Sequence, residues 1–586
     1  MKQIQLAFRD QETLEKVLAE LRTCYDEHSY HGMLLHIYTE VIEWEQIERA
    51  LKRIEEVLPE ALYVGCSSNG NIQNGNFLGD SFLLTGTFFE KESTRVNILQ
   101  YRLTEETQEE VSRALVQAVD ENPWVKGVEF LLTIRGMSLT GLCDGLSKVR
   151  KDVQIFGGGA FSGDINANEA CVFSKEGGYQ EKGIVFVLMG GEDLHITSSY
   201  VCGWKPLGSF LRITSAERSI LKELNGQPAY DTYYKYLHIK NDKNFFYHTL
   251  EFPFLYRDKG IDIMRAPTAC TPEGYLVMTS DMVPDTMARL AYGDPWTILE
   301  SAKEFAELLS GFSPECIAVF SCAGRRTFWG NEGVGKETEF YQKLAPTSGF
   351  YTSSEFMRHG EYVIQHNVTQ VVAAFREGEP EKIEPLLIPS DDKSFEGKVP
   401  MVSRMAAFIK VTMEELEEAN ARYSRMAITD GLTGLLNRAE IQRIIMEMVE
   451  SRLFEDIYLI MMDLDNFKHV NDQYGHKEGD NVLIRLSGMM REVVVDLGDN
   501  CFCGRWGGEE FMILVHSIGE SKVLRHAERI CKTMEKIRFE KAGRVTVSIG
   551  VVKTLPDESA DQACSRVDAT LYEAKNNGKN QVVFHH

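Results

Sequence analysis

The chain has no apolar run of about 18 residues or more, the length a membrane-spanning helix needs, so no membrane span and no membrane partner are expected. Its first residues, Met1-Lys2-Gln3-Ile4-Gln5-Leu6, lack the apolar core of a signal peptide. The 12 cysteines form no even framework and no paired CxxC spacing, which argues against a disulfide scaffold. A reducing, cytoplasmic setting is the expectation. The lone CxC, Cys501 and Cys503, has the alternation of a strand rather than the spacing of a metal site. Positive charge is also short: 63 Lys and Arg stand against 87 Asp and Glu, for a formal net charge of -24. A chain of that sign repels DNA and RNA, so no nucleic-acid partner is expected. A small nucleotide chelated to a metal remains compatible, because its site can be locally positive.

What is present is ordinary for globular protein, with 43% hydrophobic and 26% charged residues. The 586 residues correspond to roughly three to five domains. Up to about Pro380, strand-like and helix-like segments alternate. Leu14, Val17, Leu18 and Leu21 share one helical face, while Met33–Ile37, Phe130–Ile134 and Ile184–Leu188 read as strands. Several strand-like runs end in small residues, such as Gly65-Cys66-Ser67-Ser68 and Gly157-Gly158-Gly159, which suits an α/β architecture with loops at strand ends. A break near Pro206–Ser215 divides this region into residues 1–205 and 206–380.

A charged, proline-containing stretch, Glu377 to Lys398, reads as a linker. Val402, Met405, Ile409, Thr412, Leu416, Ala419, Tyr423 and Met426 then repeat in steps of three and four. That seam predicts a parallel two-stranded coiled coil within residues 381–428, and with it a homodimer. An amphipathic helix packed on its own domain is the other reading. Residues 429–586 are long enough for one further compact domain.

Two acidic clusters carry the chemistry of that last segment. The apolar run Ile457–Met462 predicts a strand buried on both faces, and it ends in Asp463-Leu464-Asp465. Carboxylates leaving a central strand stand where α/β sheets bind ligands, and hard oxygens suit Mg²⁺. Alternation sends Asp463 and Asp465 to one side if the strand continues. The second cluster is Arg505-Trp506-Gly507-Gly508-Glu509-Glu510-Phe511, between strand-like Cys501–Cys503 and Phe511–Val515. A Gly-Gly pair there marks a hairpin turn that lets a phosphate approach the backbone.

Gly507-Gly508-Glu509-Glu510-Phe511 resembles the signature of the GGDEF family of diguanylate cyclases, in its GGEEF form. The similarity extends in order through Asp430–Arg438, Asp463–Lys468, Val470-Asn471-Asp472, Gly475-His476, Gly479-Asp480, Val547–Val551 and Leu571–Asn580. The resemblance implies a nucleotidyl-cyclase-like fold, a central antiparallel sheet flanked by helices, and an enzyme that condenses two GTP into cyclic di-GMP with release of pyrophosphate. It implies that Asp463, the backbone carbonyl of Leu464 and Glu509 hold Mg²⁺ (or Mn²⁺), with Glu510 as a further ligand. Glu509 is also the candidate base for the ribose 3′-hydroxyl, and Lys468 the cation against the phosphates; a solvated helix lysine is its other reading. Asn471 and Asp480 are the implied guanine readers, though Asp480 also suits a helix N-cap. His476 touches the nucleotide or supports the turn. Gly507 and Gly508 line the phosphates, and Lys575 and Lys579, four apart, reach the triphosphate. The family often carries an RxxD product site upstream; here that position is Gly498-Asp499-Asn500-Cys501, so weak or no product feedback through it is expected. A GTP-binding signalling module without catalysis is the alternative function, and a structural hub a third.

The front region resembles a two-part FIST sensory domain. The similar stretches include Gly65–Ser68, Phe156–Gly159, Gly203–Gly208, Phe320–Arg325, Gly349–Glu355 and Asn367–Thr369. That resemblance implies a small regulatory ligand, with an amino acid as one candidate. Arg325 and Glu355 are candidate contacts for a zwitterion, or an internal ion pair. Cys66 and Cys322 read as buried structural thiols or, less simply, as reactive ones.

Overall fold

Leu14, Val17, Leu18 and Leu21 become the buried face of helix Gln11–Glu27, and the three apolar runs become strands Gly32–Thr39, Val125–Leu132 and Gly183–Gly190. The computed structural model describes residues 1–134, 136–161, 169–379, 401–451, 454 and 456–586. Two compact units emerge, Met1–Val411 and Thr412–His586.

The first unit mixes α and β elements in four sheets. Three of these contain one parallel pair each: Gly32–Thr39 with Leu62–Ser67, Val125–Leu132 with Gln154–Gly159, and Cys316–Cys322 with Thr347–Thr352. A common apolar core joins them through residues such as Leu34, Leu131 and Phe320. The expected break at Pro206–Ser215 falls inside the 14-residue strand Trp204–Glu217, which bends at an irregularity between Leu207 and Leu211 and pairs with Met287–Gly293. Strands from both sides of that point share sheets. Gln154–Gly159 pairs with Glu355–His359, and Asn71–Gln73 with Thr347–Thr352. Sequence neighbours therefore do not sort into successive bodies here, because strands far apart in the chain complete one another's ladders.

Most of the predicted linker lies outside the described residues. Helix Met401–Ile428 follows, 28 residues long. On its heptad seam, Met405, Ile409, Leu416 and Tyr423 are exposed; the side chains of Val402 and Met426 lie outside the described set.

The second unit is built around strand Tyr458–Leu464, every residue of which is buried. It is central in a five-stranded sheet whose order runs Cys501–Arg505, Glu510–Val515, Tyr458–Leu464, Val547–Lys553, Val582–His585. All neighbours are antiparallel except the last pair, which is parallel. Alternation decides the faces: Tyr458, Ile460 and Met462 meet the core under helices His476–Leu497 and Glu520–Lys536. Leu459 and Met461 meet the one under Arg438–Ser451 and Ala560–Asn576. Helices on both faces leave the strand ends as the open edge, and both acidic clusters lie there. Among the described residues, no helix is long and apolar enough to cross a membrane.

Candidate active site

The hairpin forms as the sequence predicts. Cys501–Arg505 and Glu510–Val515 pair antiparallel, and Trp506–Glu509 make the turn. Register places Asp463 opposite Glu510, and the Leu464 amide donates to the Glu509 carbonyl at 3.4 Å. The two acidic clusters, 44 positions apart between Asp465 and Glu509 in the sequence, are thus adjacent rungs of one ladder.

Asp463 is the electrostatic centre. Its side chain is 10% exposed, and Lys575 Nζ lies 2.8 Å from its carboxylate. Burial pushes the carboxyl up to about 6; Lys575 opposes this, and the charges of Glu509 and Glu510 add to it. An acid so placed is under-neutralised, since one ammonium faces three carboxylates. Among the described residues no three His, Cys, Asp or Glu side chains enclose an ion by themselves. Mg²⁺ characteristically takes one or two carboxylates and completes its shell with water and substrate phosphate, so hard oxygens from Asp463 and Glu509, beside Leu464, fit such an ion.

Asp465 does something else. The strand ends at Leu464, and the Asp465 carboxylate accepts from Thr546 Oγ1 at 2.7 Å, Ser548 Oγ at 2.6 Å and the Asn580 amide at 3.1 Å. It pins the strand end to its neighbour, so the expected shared side with Asp463 does not make it a second ligand. Asn466 then turns the chain with a left-handed backbone, φ 58°, and starts helix Phe467–Tyr474. That helix presents Lys468, which is exposed, and Asn471. The Asn471 side chain lies against Gly479, where a Cβ would come within 2.0 Å of its Oδ1.

Two expectations change in detail. Asp480 is not an N-cap: helix His476–Leu497 starts four residues earlier after Gly475, and Asp480 sits in its second turn. The same geometry puts His476, exposed, at the first helical position. Lys575 and Lys579 do not share a helix face either. The helix ends at Asn576, and Lys579 follows with φ 65°, donating to Asn466 Oδ1 at 2.7 Å. Lys575 points to Asp463, so the pair braces two different points of the rim.

Gly507 lies against Glu510, whose Oε2 stands 2.8 Å from where a Gly507 Cβ would be, while Gly508 faces open space. Arg505 fixes this turn. Its Nε donates to the carbonyls of Gly507 and Gly508 at 3.2 and 3.1 Å, and its Nη1 reaches Asp430 at 3.2 Å. Burial pushes the Asp430 carboxyl up, but hydrogen bonds from Thr433 and the Arg505 guanidinium outweigh it and hold the acid below the usual range. Asp430 and Arg505 were legible as motif letters, but not as partners, because 75 residues separate them.

In the first unit, Arg325 and Glu355 do not pair. Arg325, 1% exposed, bonds Glu337 through Nε at 3.0 Å and caps the carbonyls of Cys202 and Val368. Glu355 accepts from Thr352 and Thr369 hydroxyls at 2.6 and 2.8 Å, and burial lifts its carboxyl to about 7. Both groups are internally satisfied, which removes them as zwitterion contacts. The Cys66 and Cys322 thiols are buried and burial pushes both well up, as suits structural thiols.

Comparison with known proteins agrees with these two units. Residues 427–581 match the family described as diguanylate cyclase, GGDEF domain; residues 34–227 match the FIST N domain and 229–358 the FIST C domain. The chain is 40% identical over 172 residues to diguanylate cyclase DgcM of Escherichia coli K12, which is 29% of this chain and 40% of that protein. It is 28% identical over 200 residues to diguanylate cyclase VdcA of Vibrio cholerae, 33% of this chain and 58% of that one. The chain therefore spans less than two thirds of these relatives. Among solved structures, the coiled coil and GGDEF domain of DgcB from Caulobacter crescentus in complex with c-di-GMP is 28% identical, covering 32% of this chain and all of that one, with a TM-score of 0.30.

Proposed function

This chain carries FIST N and FIST C domains followed by a GGDEF domain, and from that premise we propose that it is a diguanylate cyclase under the control of a small ligand bound by its front unit. The reaction joins two GTP molecules: each ribose 3′-hydroxyl attacks the other's α-phosphorus, two pyrophosphates leave, and cyclic di-GMP results. The observation that carries this reading is the carboxylate cluster of Asp463, Glu509 and Glu510 at adjoining strand ends, with Lys575 as the cation paired to it among the described residues.

Asp463, the Leu464 carbonyl and Glu509 would hold a divalent cation, Mg²⁺ by preference, with Glu510 close by. When bound, such an ion neutralises phosphate oxygens and polarises the phosphorus toward attack. The chain's own groups do the rest. Gly508 leaves room for the triphosphate beside Gly507 on the turn held by Arg505. Lys468 and Lys579, on the rim, and Lys575, once released from Asp463, supply positive charge to the phosphates. Asn471 and Asp480 face the guanine edge, whose adjacent N–H donors a carboxylate accepts and adenine cannot offer; a missing donor would strand a charge, so GTP is preferred. Glu509 is placed to take the 3′-hydroxyl proton.

One site holds one GTP, so two copies must face each other. The exposed seam residues Met405, Ile409, Leu416 and Tyr423 support pairing through helix Met401–Ile428. Juxtaposition of this kind supplies several kcal/mol toward the barrier, about the scale of effective-molarity gains. The test is incubation of the intact chain with GTP and Mg²⁺ and identification of the nucleotide products. Cyclic di-GMP formed by the native chain and lost in Glu509→Gln, with GTP still bound, is the expected result. GTP bound with no product from either protein would leave a nucleotide-binding module instead.

A further inference from the structure

The three parallel strand pairs of the first unit send their carboxyl ends to one place. Cys322 and Thr352 are the last residues of strands Cys316–Cys322 and Thr347–Thr352 and stand opposite each other in register. Phe161 lies just beyond Gln154–Gly159, and Asn69 just beyond Leu62–Ser67. All four line a cavity of about 210 Å³. Carboxyl ends of parallel strands are where open α/β sheets hold ligands, because loops diverge there and leave space.

The triple glycine singled out in the sequence builds one wall. A Cβ on Gly158 would meet Thr352 Cγ2 at 2.6 Å, and one on Gly159 would meet Ser353 Oγ at 2.4 Å. Glycine is thus required for the Gln154–Gly159 strand to lie directly under Thr352 and Ser353, both of which face the cavity. Val368, on another wall, has φ 61°, a left-handed backbone that a β-branched residue adopts only when its surroundings impose it. Arg325 donates to the Val368 carbonyl at 3.0 Å. Strain beside a buried ion pair and a cavity marks a built site rather than a packing defect.

The chemistry of the lining is selective. It includes hydroxyls and amides from Asn69, Thr327, Ser353 and Asn367, and aromatic rings from Phe161, Phe246 and Tyr247, with no charged side chain among the described residues that line it. The buried charges behind the lining are engaged within the protein: Arg265 bonds Asn367 Oδ1 and the carbonyls of Met264 and Asp281, Arg325 bonds Glu337, and Glu355 accepts from Thr352 and Thr369. A charged guest would lose its hydration and meet no charged side chain among the described residues of the lining. Tyr247, 55% exposed, sits on the short helix Phe245–Leu250 at the cavity, so one face of a guest meets a ring. The volume equals that of about seven waters, or a molecule of roughly ten non-hydrogen atoms at interior packing density.

We propose that this cavity binds an uncharged, hydroxyl- or amide-bearing small molecule with one flat apolar face. The proposal takes from the functional reading only that the front unit binds a small ligand, and it gives that ligand a place and a charge. The test uses the intact chain with nicotinamide and benzamide as probes, against nicotinate, benzoate and L-serine, read by saturation-transfer NMR and by the shift in melting temperature. The two amides bind and stabilise; the three charged compounds do not. Thr327→Trp, which fills the cavity, and Tyr247→Ala, which removes an exposed ring, each weaken amide binding at least tenfold, with unliganded melting temperatures unchanged. Failure of both amides to bind overturns the proposal, as does equal binding of a charged compound. Undiminished amide binding by Thr327→Trp also overturns it, even if that variant melts lower. The two readings fail separately: amide binding without any change in cyclic di-GMP formation keeps this site and sinks the regulatory role. A response of product formation to a charged metabolite, with no amide binding, does the reverse.

Discussion

The two units treat buried charge in opposite ways. In the first, buried Arg325 and Glu355 are closed off: Arg325 meets Glu337 and two carbonyls, and Glu355 is held by two threonines. In the second, Asp463 is left with Glu509 and Glu510 as neighbours and one lysine to balance them. A closed pair fixes a fold and has nothing left to offer a ligand. An under-neutralised cluster is unfavourable in the free protein and becomes favourable when cations and phosphates arrive. That difference, rather than the count of charged residues, separates scaffold from candidate chemistry here.

The contrast can be broken most sharply at the open cluster. Asp463→Asn and Glu509→Gln should each lower cyclic di-GMP formation by about 100-fold or more, with denaturant unfolding of the first unit unchanged. A variant that retains product formation at native rates would remove the cluster from the chemistry. At the closed pair the effect should fall on stability instead. Arg325→Met leaves Glu337 buried without its cation, with the Trp329 indole N–H as its remaining donor among the described residues, and should cost about 3–5 kcal/mol in urea unfolding of the first unit. Arg505→Lys tests the turn: it keeps the charge but loses the fork that spans Gly507, Gly508 and Asp430, and product formation should drop about tenfold at an unaltered melting temperature.

Glu355 gives a pH signature. Its folded carboxyl lies near 7, above the ordinary 4.5, so the folded state holds a proton that the unfolded state has already released between those values. Stability contributed at this position is therefore full below about pH 4.5 and declines as pH rises toward 7, then stays flat. The difference in melting temperature between native chain and Glu355→Gln, followed from pH 4.5 to 8, should show that decline and then level off. The smallest expected effect is an absence: added cyclic di-GMP should not inhibit through residues 498–501, where Gly498 offers no guanidinium. Inhibition that Asp499→Ala relieves would contradict this.

Much of the second unit was legible from the chain alone, because its signals are local. The apolar run before Asp463 alternates faithfully between two cores, and the Gly-Gly turn with flanking strands appears where the letters place it. Asp480 was ambiguous because an acid near a helix start also suits a cap, and the actual start at His476 removes the cap reading. The spacing of four between Lys575 and Lys579 also allowed an ordinary exposed helix pair, a reading the structure removes because the helix ends between them. The first unit was legible as strands and helices but not as a body, because its sheets join residues such as Asn71–Gln73 and Thr347–Thr352 across most of its length.

The sequence by itself determined the elements, the faces they bury and the acidic motifs at their ends, since periodicity and turn chemistry act within a few residues. Tertiary structure alone decided the partnerships: Arg325 with Glu337, Arg505 with Asp430, Lys575 with Asp463, and the meeting of four strand ends around one cavity. These depend on which ladders close on which, and a ladder forms wherever backbone hydrogen bonds and apolar faces are jointly satisfied, irrespective of distance along the chain.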